Sequence, residues 1–142
     1  MRTDDSGVAP APDKAGDDLT IAAERAAGVI ALSRPRANNA LTAQMRAGFA
    51  AALGRWARDP DIYAVILLSA IDGTFCAGGD KRELAQWGPN ASQARALLAE
   101  QYALLWRIEC FTKPTISLID GAVMGLGAVS YTHLTLPTIL LV

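Results

Sequence analysis

Two glycine-rich stretches are the strongest candidates for a functional site in the sequence: residues 72–80 (DGTFCAGGD) and residues 121–128 (GAVMGLGA). Glycine allows the backbone to approach a ligand closely and to adopt positive φ angles. A backbone N–H that points at a developing oxyanion is a strong catalytic device, since loss of one such donor costs about 3 kcal/mol in a well-studied protease. Two N–H groups from the two stretches could therefore form an oxyanion hole. The alternative is that both stretches are tight turns.

Hydrophobic periodicity predicts the elements that lead to the first stretch. Two short apolar segments within residues 19–32 predict a β-hairpin, with Gly28 helping its turn. Between residues 41 and 57 the apolar positions recur at helical spacing, which predicts a helix with Thr42 as its N-cap. The apolar face of that helix consists of Leu41, Met45, Phe49, Leu53 and Trp56.

Two further apolar runs, residues 63–68 and 115–119, predict strands that are buried on both faces. A short helix from Lys81 and a longer helix over residues 92–109, capped by Ser92, lie between them. Strands joined by such a crossover pair in parallel, and ligands lie beyond the carboxyl ends of parallel strands. Because a glycine stretch follows each strand, we expect both stretches to open onto one edge of the sheet. The apolar face of the longer helix is predicted at Leu98, Tyr102, Leu105 and Ile108.

The composition predicts one globular domain of 142 residues that binds neither nucleic acid nor membrane. Lys+Arg 13 and Asp+Glu 14 leave a net charge of −1, without the basic surplus of a nucleic-acid binder. The apolar run 64–68 is far below the ~18 residues that span a bilayer. Cys76 and Cys110 favour a reducing compartment, and the N-terminus lacks a signal-peptide pattern, so we expect a cytoplasmic location. Residues 1–18 are predicted to be a disordered leader.

Three ordered motifs carry a family resemblance over residues 19–128. They are Arg34-Pro35 with the following Asn-Ala-Leu-Thr run at 39–42, the stretch 75–80, and the segment from Lys113 to Gly127. In order and spacing they resemble the crotonase (enoyl-CoA hydratase/isomerase) superfamily. The resemblance implies an α/β fold, a spiral core of ββα repeats of which this chain holds the N-terminal part. It also implies an acyl-CoA thioester as substrate, with no cofactor because coenzyme A is part of the substrate.

Within the superfamily, the sequence is most similar to 3-hydroxyisobutyryl-CoA hydrolases, thioesterases of valine degradation. The similarity rests on Trp56 with Asp59-Pro60, on the Gly-Gly-Asp-x-Arg-Glu run at 78–83, and on Asp120-Gly121 before Met124. Two alternatives stay open: an enoyl-CoA hydratase or isomerase, and a non-catalytic remnant. The resemblance also leaves open a homo-oligomer for the full-length protein.

The resemblance assigns roles to residues of both glycine stretches. The thioester carbonyl would be polarised by the backbone N–H groups of Gly79 and Leu126, the oxyanion-hole donors. Arg82 matches a basic position near the CoA phosphates and Arg36 lies in the segment that passes the adenine, although both could equally be solvated surface charges. Asp80 is also expected to cap the helix that follows it. No metal site is expected. The remaining substrate-binding residues implied by the motifs are Ala77, Gly78, Asp80 and Gly125.

The family pattern stops after Ala128. The superfamily would continue with a long helix and with strands that carry its acid/base carboxylates. Here the run SYTHLTLPT within residues 129–142 is similar to translated sequencing-adaptor sequence, so we expect a non-native tail, the alternative being a divergent natural terminus. In hydratases a glutamate would stand at the position of Val129, and in the hydrolases usually a glycine. We therefore expect the 142-residue chain itself to be inactive.

Overall fold

The computed structural model describes residues 13–14, 16–86, 91–125 and 127–128. Leu126 and the tail at 129–142 lie outside the described residues. The described elements are β1 (Asp13–Lys14), β2 (Leu19–Glu24), β3 (Ala27–Leu32), a 3₁₀ turn (Pro35–Ala37), α1 (Ala43–Trp56), β4 (Ala64–Ser69), β5 (Thr74–Cys76), α2 (Lys81–Gln86), α3 (Ala91–Glu109), β6 (Thr115–Leu118) and β7 (Ala122–Val123).

The main sheet has five strands in the order β1-β2-β3-β4-β6. The first three strands are antiparallel, whereas β3, β4 and β6 run parallel to one another. Both parallel connections contain helices, which confirms the predicted crossover between the strands at 63–68 and 115–119. β5 and β7 form a separate parallel ribbon of two strands.

The β2–β3 hairpin is confirmed, but Gly28 does not form its turn. The two strands are joined at Arg25, whose φ is 53°, and at Ala26. Gly28 lies inside β3, where a Cβ atom would come 2.5 Å from the Trp56 ring. Glycine therefore stands at position 28 because the ring of the α1 tryptophan packs directly on the strand.

Helix α1 begins where the sequence predicts. The Thr42 hydroxyl accepts a hydrogen bond from the Met45 N–H at 3.2 Å, which confirms the N-cap. Met45, Phe49 and Trp56 are buried against the sheet, in agreement with the predicted apolar face. They join side chains of β2, β3 and β4 in one hydrophobic core.

The predicted apolar face of α3 is confirmed at Ile108 but is wrong by about one residue at Leu98 and Tyr102. The buried side chains are Leu97, Gln101, Leu104 and Ile108, whereas the predicted members Leu98 and Tyr102 are 42 % and 64 % exposed. Gln101 interrupts the apolar pattern of the buried face, so the aromatic and aliphatic residues beside it gave the stronger periodicity. The helix already includes Ala91, so Ser92 is not its N-cap.

Three other predictions need correction. Strand β6 is an edge of the described sheet, and its Ile116 and Leu118 are exposed, so it is not buried on both faces. Strand β4 is fully buried only at alternate positions. The predicted disordered leader is too long, because Asp13–Lys14 pairs with β2.

Among the described residues, no helix combines the length and apolar character needed to cross a bilayer.

Candidate active site

The two glycine stretches meet in the structure, through the ribbon of β5 and β7. The Met124 N–H donates to the Cys76 carbonyl at 2.9 Å, which joins the ends of the two strands. A Cβ atom on Gly125 would lie 3.7 Å from Gly78 Cα, so the two backbones are in contact. The expectation that both stretches open onto one edge is thus confirmed, although they leave their own two-stranded ribbon rather than β4 and β6 directly.

The first glycine loop is held by the chain segment that precedes α1. The Ala77 N–H donates to the Asn38 carbonyl at 2.9 Å, and the Leu41 N–H donates to the Gly78 carbonyl at 2.7 Å. The Asp80 N–H then donates to the Leu41 carbonyl at 3.1 Å. These bonds run like a short parallel ladder, so the loop has the rigidity of a strand without being part of the sheet.

One N–H in the loop is left open. Gly78 has a φ of 93°, which only glycine adopts without strain, and its N–H points to Cys76 Sγ at 3.4 Å. Within the described part of the chain, the Gly79 N–H has no hydrogen-bond acceptor. Its neighbours at 77, 78 and 80 all have one. Among the four N–H groups at residues 77–80, the free donor is therefore at the residue that the motif assigns to the oxyanion hole.

Asn39 is a residue that the sequence analysis quoted only as part of a motif. Its side chain is 0 % exposed and donates from Nδ2 to Ser69 Oγ at 2.9 Å and to the Phe75 carbonyl at 3.0 Å. Its Oδ1 accepts from the Arg34 N–H at 2.8 Å. Asn38 and Asn39 both have positive φ angles, which asparagine tolerates. That paired asparagine is the signal in the sequence that could have indicated a tight, hydrogen-bonded corner.

A buried ion pair closes the other side of the loop. Arg34 Nη1 lies 2.6 Å from Asp80 Oδ2 and donates to the Ala40 carbonyl at 2.8 Å, while Asp18 lies 3.2 Å from Arg34 Nε. The Arg82 N–H donates to Asp80 Oδ1 at 2.8 Å, so Asp80 caps α2 as predicted. Burial by itself raises the pKa of Asp80, but the Arg82 N–H and the Arg34 guanidinium together bring that pKa below its ordinary value. Asp80 is therefore an ionised structural carboxylate.

A second buried arginine ties α2 to α1. Arg46 is buried and donates to the Leu41 carbonyl at 2.9 Å, and its guanidinium lies 3.3 Å from Glu83 Oε2. Glu83 Oε1 accepts from the Ala43 N–H at 2.8 Å, at the start of α1. The sequence analysis missed this pair because the partners are far apart in the chain and come together only through the fold.

Cys76 belongs to the packing of the loop. Its side chain is buried, and its Sγ lies 3.4 Å from the Asn39 carbonyl. Burial raises the pKa of the thiol above its ordinary value, against the smaller opposing effect of the Gly78 N–H. An uncharged buried thiol is a poor nucleophile, so Cys76 fills space between the two loops.

The remaining predicted site residues differ in their surroundings. Ala77, Gly78, Gly79, Asp80 and Gly125 are brought together at the junction of the two loops. The Arg36 guanidinium is 71 % exposed and lies 3.0 Å from Asp18, whereas Arg82 is exposed in the first turn of α2. The second predicted donor, Leu126, lies outside the described residues. Among the described residues, no group of three or more His, Cys, Asp or Glu could hold a metal ion.

An α/β fold that presents a rigid, free backbone N–H at the contact of two glycine loops is suited to enzymes that stabilise an oxyanion. Residues 27–136 match the family model described as "Enoyl-CoA hydratase/isomerase", and the chain belongs to this family. The resemblance to the crotonase superfamily is thereby confirmed. The match continues beyond Ala128, into the segment that we expected to be non-native.

Similar proteins agree with this assignment. The "3-hydroxyisobutyryl-CoA hydrolase, mitochondrial" of Danio rerio is 37 % identical over 115 residues, covering 80 % of this chain and 30 % of that protein. The protein of the same name in Xenopus tropicalis is 41 % identical over 102 residues, covering 71 % and 26 %. The crystal structure of an enoyl-CoA hydratase from Rhodobacter sphaeroides matches with a TM-score of 0.73 at 39 % identity, covering 79 % and 34 %. The predicted crotonase-like α/β fold is thus confirmed.

The chain spans between a quarter and a third of the length of these curated relatives. Family members are enzymes that act on acyl-CoA substrates. What the described residues contribute to such an enzyme is the first glycine loop, its supports, and the start of the second loop.

Proposed function

We propose that the whole protein hydrolyses the thioester of 3-hydroxyisobutyryl-CoA. The whole protein is the full-length natural chain that contains residues 19–128. The free N–H of Gly79 is the observation that carries the proposal, because the N–H groups of residues 77, 78 and 80 are already hydrogen-bonded within the protein. The names of the vertebrate relatives support this substrate. The N–H of Leu126 would be the second donor.

The chemistry assigned to these residues is charge stabilisation. When water attacks the thioester carbonyl, negative charge develops on the carbonyl oxygen, and the Gly79 and Leu126 N–H groups bind that oxygen. The tetrahedral intermediate then collapses with cleavage of the C–S bond and release of CoA. A general base must take the proton of the water. Asp80 and Glu83 are both bound to arginines, so we assign the base to a carboxylate outside residues 19–128.

We also propose that Arg82 and Arg36 contact the CoA nucleotide. Arg82 has its side chain in solvent beside the first loop, and a guanidinium suits phosphate. Arg36 would have to exchange Asp18 for phosphate or serve both. The cytoplasmic location stays a prediction, while the names of the vertebrate relatives assign those proteins to mitochondria.

The second candidate function is enoyl-CoA hydration, favoured by the 39 % identical Rhodobacter sphaeroides protein, which is named an enoyl-CoA hydratase. Release of free CoA from 3-hydroxyisobutyryl-CoA and hydration of crotonyl-CoA, measured on the same preparation, separate the two. We expect thiol release to dominate. Dominant hydration of crotonyl-CoA would overturn the proposal in favour of the hydratase.

The role of Gly79 is tested by a matched pair of variants. Gly79→Pro removes the N–H, whereas Gly79→Ala keeps it, and both add a Cβ atom that would meet Gln101 at 2.7 Å. The two variants share the added Cβ atom and differ in the N–H and in the proline ring, so the ratio of their kcat values gives an upper limit on the contribution of the donor. We expect the proline variant to be slower by about 10²–10³. Equal rates for the two variants would exclude the Gly79 N–H from catalysis.

We propose that the 142-residue chain alone is inactive and aggregates. Large apolar side chains are exposed on α3, on the edge strand β6 and in the second loop, and exposed apolar surface favours association. Expression of residues 1–142, with light scattering, circular dichroism and thioester assays, tests this. A cooperative melt with turnover would refute the proposal, and a folded, inactive chain would favour the non-catalytic remnant. The exposed side chains include Tyr63, Tyr102, Trp106, Ile116, Leu118 and Met124.

A further inference from the structure

Gln101 is a buried polar side chain on the core-facing side of α3. It lies one turn from Leu97 and from Leu104, and it is 6 % exposed. Its Nε2 atom is buried and has no hydrogen-bond partner among the residues that the structure describes. A buried amide donor without a partner destabilises a fold, so its presence at this position requires an explanation.

The amide of Gln101 lies against the predicted oxyanion donor. A Cβ atom on Gly79 would be 2.7 Å from Gln101 Nε2 and 3.0 Å from its Oε1. The amide therefore occupies the space that a side chain at position 79 would need. Two donors that the described protein leaves open, the Gly79 N–H and Gln101 Nε2, thus lie at the same point of the fold.

We propose that Gln101 Nε2 donates a hydrogen bond to the hydroxyl group of a hydroxyacyl chain and so selects hydroxyacyl-CoA over unsubstituted acyl-CoA. The inference rests on the proposed function, in that the thioester carbonyl binds at the Gly79 N–H. The carbons next to that carbonyl then pass beside Gly79 Cα, within reach of the amide. The hydroxyl oxygen accepts a hydrogen bond from Gln101 Nε2, which has no acceptor among the described residues.

The neutral amide fits this role better than a charged side chain would. A carboxamide donates to a hydroxyl without attracting a charged acyl group. A site built around a hydroxyl also rejects the analogue that lacks it, because the buried donor then stays unpaired. Gln101 would therefore be a specificity-determining residue, whereas Gly79 stabilises the developing charge.

The test uses the whole protein and two unreactive ligands. These are ketone analogues of 3-hydroxyisobutyryl-CoA and of isobutyryl-CoA in which CH₂ replaces the sulfur, so that both keep the carbonyl and neither is hydrolysed. Calorimetry gives the dissociation constant of each for the natural protein, for Gln101→Met and for the control Gln93→Met, an exposed glutamine on the same helix. Gln101→Leu gives the same comparison if the methionine variant does not fold.

We expect Gln101→Met to weaken binding of the hydroxy ketone about tenfold and binding of the other ketone less than twofold. Gln93→Met should change neither, and the melting temperature of Gln101→Met should not fall, because the variant removes an unpaired buried donor. Equal weakening of both ketones, or of neither, would overturn the inference and leave Gln101 a packing residue.

Turnover of 3-hydroxyisobutyryl-CoA by the natural protein is measured separately. If CoA is not released but the two ketones respond as expected, hydrolysis fails and the recognition of the hydroxyl stands. If CoA is released but the ketone ratio is unchanged in Gln101→Met, the proposed hydrolysis stands and the inference fails. Absence of binding of the hydroxy ketone would overturn the inference, and if CoA is not released either, the proposed hydrolysis fails with it.

Discussion

Replacement of Asn39 by alanine should strongly destabilise the protein, because this side chain holds the segment that supports the first glycine loop. The side chain is fully buried and joins three parts of the chain: the turn at Arg34, the end of β4 at Ser69 and the strand β5 at Phe75. Alanine can replace none of these bonds. Water cannot replace them readily either, because the site is closed to solvent.

The loss of free energy of unfolding in Asn39→Ala can be estimated from the groups that lose a hydrogen-bond partner. The Arg34 N–H and the Phe75 carbonyl would lose a hydrogen bond in a buried position, at about 1–3 kcal/mol each. Ser69 Oγ still accepts from the Ile71 N–H and has the Ile71 and Thr74 carbonyls, both at 2.8 Å, as alternative acceptors for its one proton, so it adds little. Alanine at a φ of 56° costs about 1 kcal/mol more than asparagine. The sum, roughly 3–7 kcal/mol, is a large part of the usual 5–15 kcal/mol of a domain.

Asn38→Ala is the matched control. Asn38 is exposed, and its φ of 50° is nearly the same, so its replacement has the backbone effect without loss of the buried bonds. Urea denaturation of the whole protein gives the free energy of unfolding of both variants. We expect Asn39→Ala to be less stable than Asn38→Ala by about 2–6 kcal/mol. A difference below about 1 kcal/mol would refute the assignment of these bonds.

Three further predictions concern charge and the thiols. Because the folded-state pKa of Asp80 is lowered, the stabilisation by its carboxylate is present above its ordinary pKa, near 4, and is lost as pH falls through the folded-state pKa. The difference in free energy of unfolding between the natural protein and Asp80→Asn, measured by urea titration, should therefore shrink in acid. A difference that does not change with pH would contradict this. Arg82→Ala should weaken the binding of CoA thioesters but not of pantetheine thioesters, and Arg58→Ala, at another exposed arginine, is the control. Equal weakening of the binding of both substrates would exclude a nucleotide contact. Iodoacetamide should label exposed Cys110 and spare buried Cys76 until urea unfolds the chain, as mass spectrometry would show. Comparable labelling rates in the folded protein would contradict the burial of Cys76.

Local sequence patterns were sufficient to predict the elements whose interacting residues are close together in the sequence. The hairpin at 19–32, the capped helix α1 and the parallel crossover each follow from periodicity and turn chemistry within short segments. The direction of the parallel strands predicts that the two glycine stretches lie at the same edge, whereas their contact through the separate β5–β7 ribbon could not be predicted.

Side-chain bonds between distant segments could not be predicted in the same way. The partners of Asn39 lie 30 and 36 residues further along the chain, and Arg46 lies 37 residues from Glu83. No period in the sequence encodes such pairs. The buried face of α3 was missed for a related reason, since Gln101 is polar and a hydrophobic pattern treats it as a surface residue.

The supports of the first loop decide which of its N–H groups can face a substrate. The segment preceding α1 accepts the N–H of Ala77 and of Asp80, and Cys76 Sγ accepts that of Gly78. A substrate carbonyl could accept from the N–H of residue 77, 78 or 80 only if one of these bonds broke, whereas it can accept from the Gly79 N–H without that loss. The bonds that stabilise the loop therefore also select its donor, and substitutions at Asn39 should impair catalysis through the same contacts by which they lower stability.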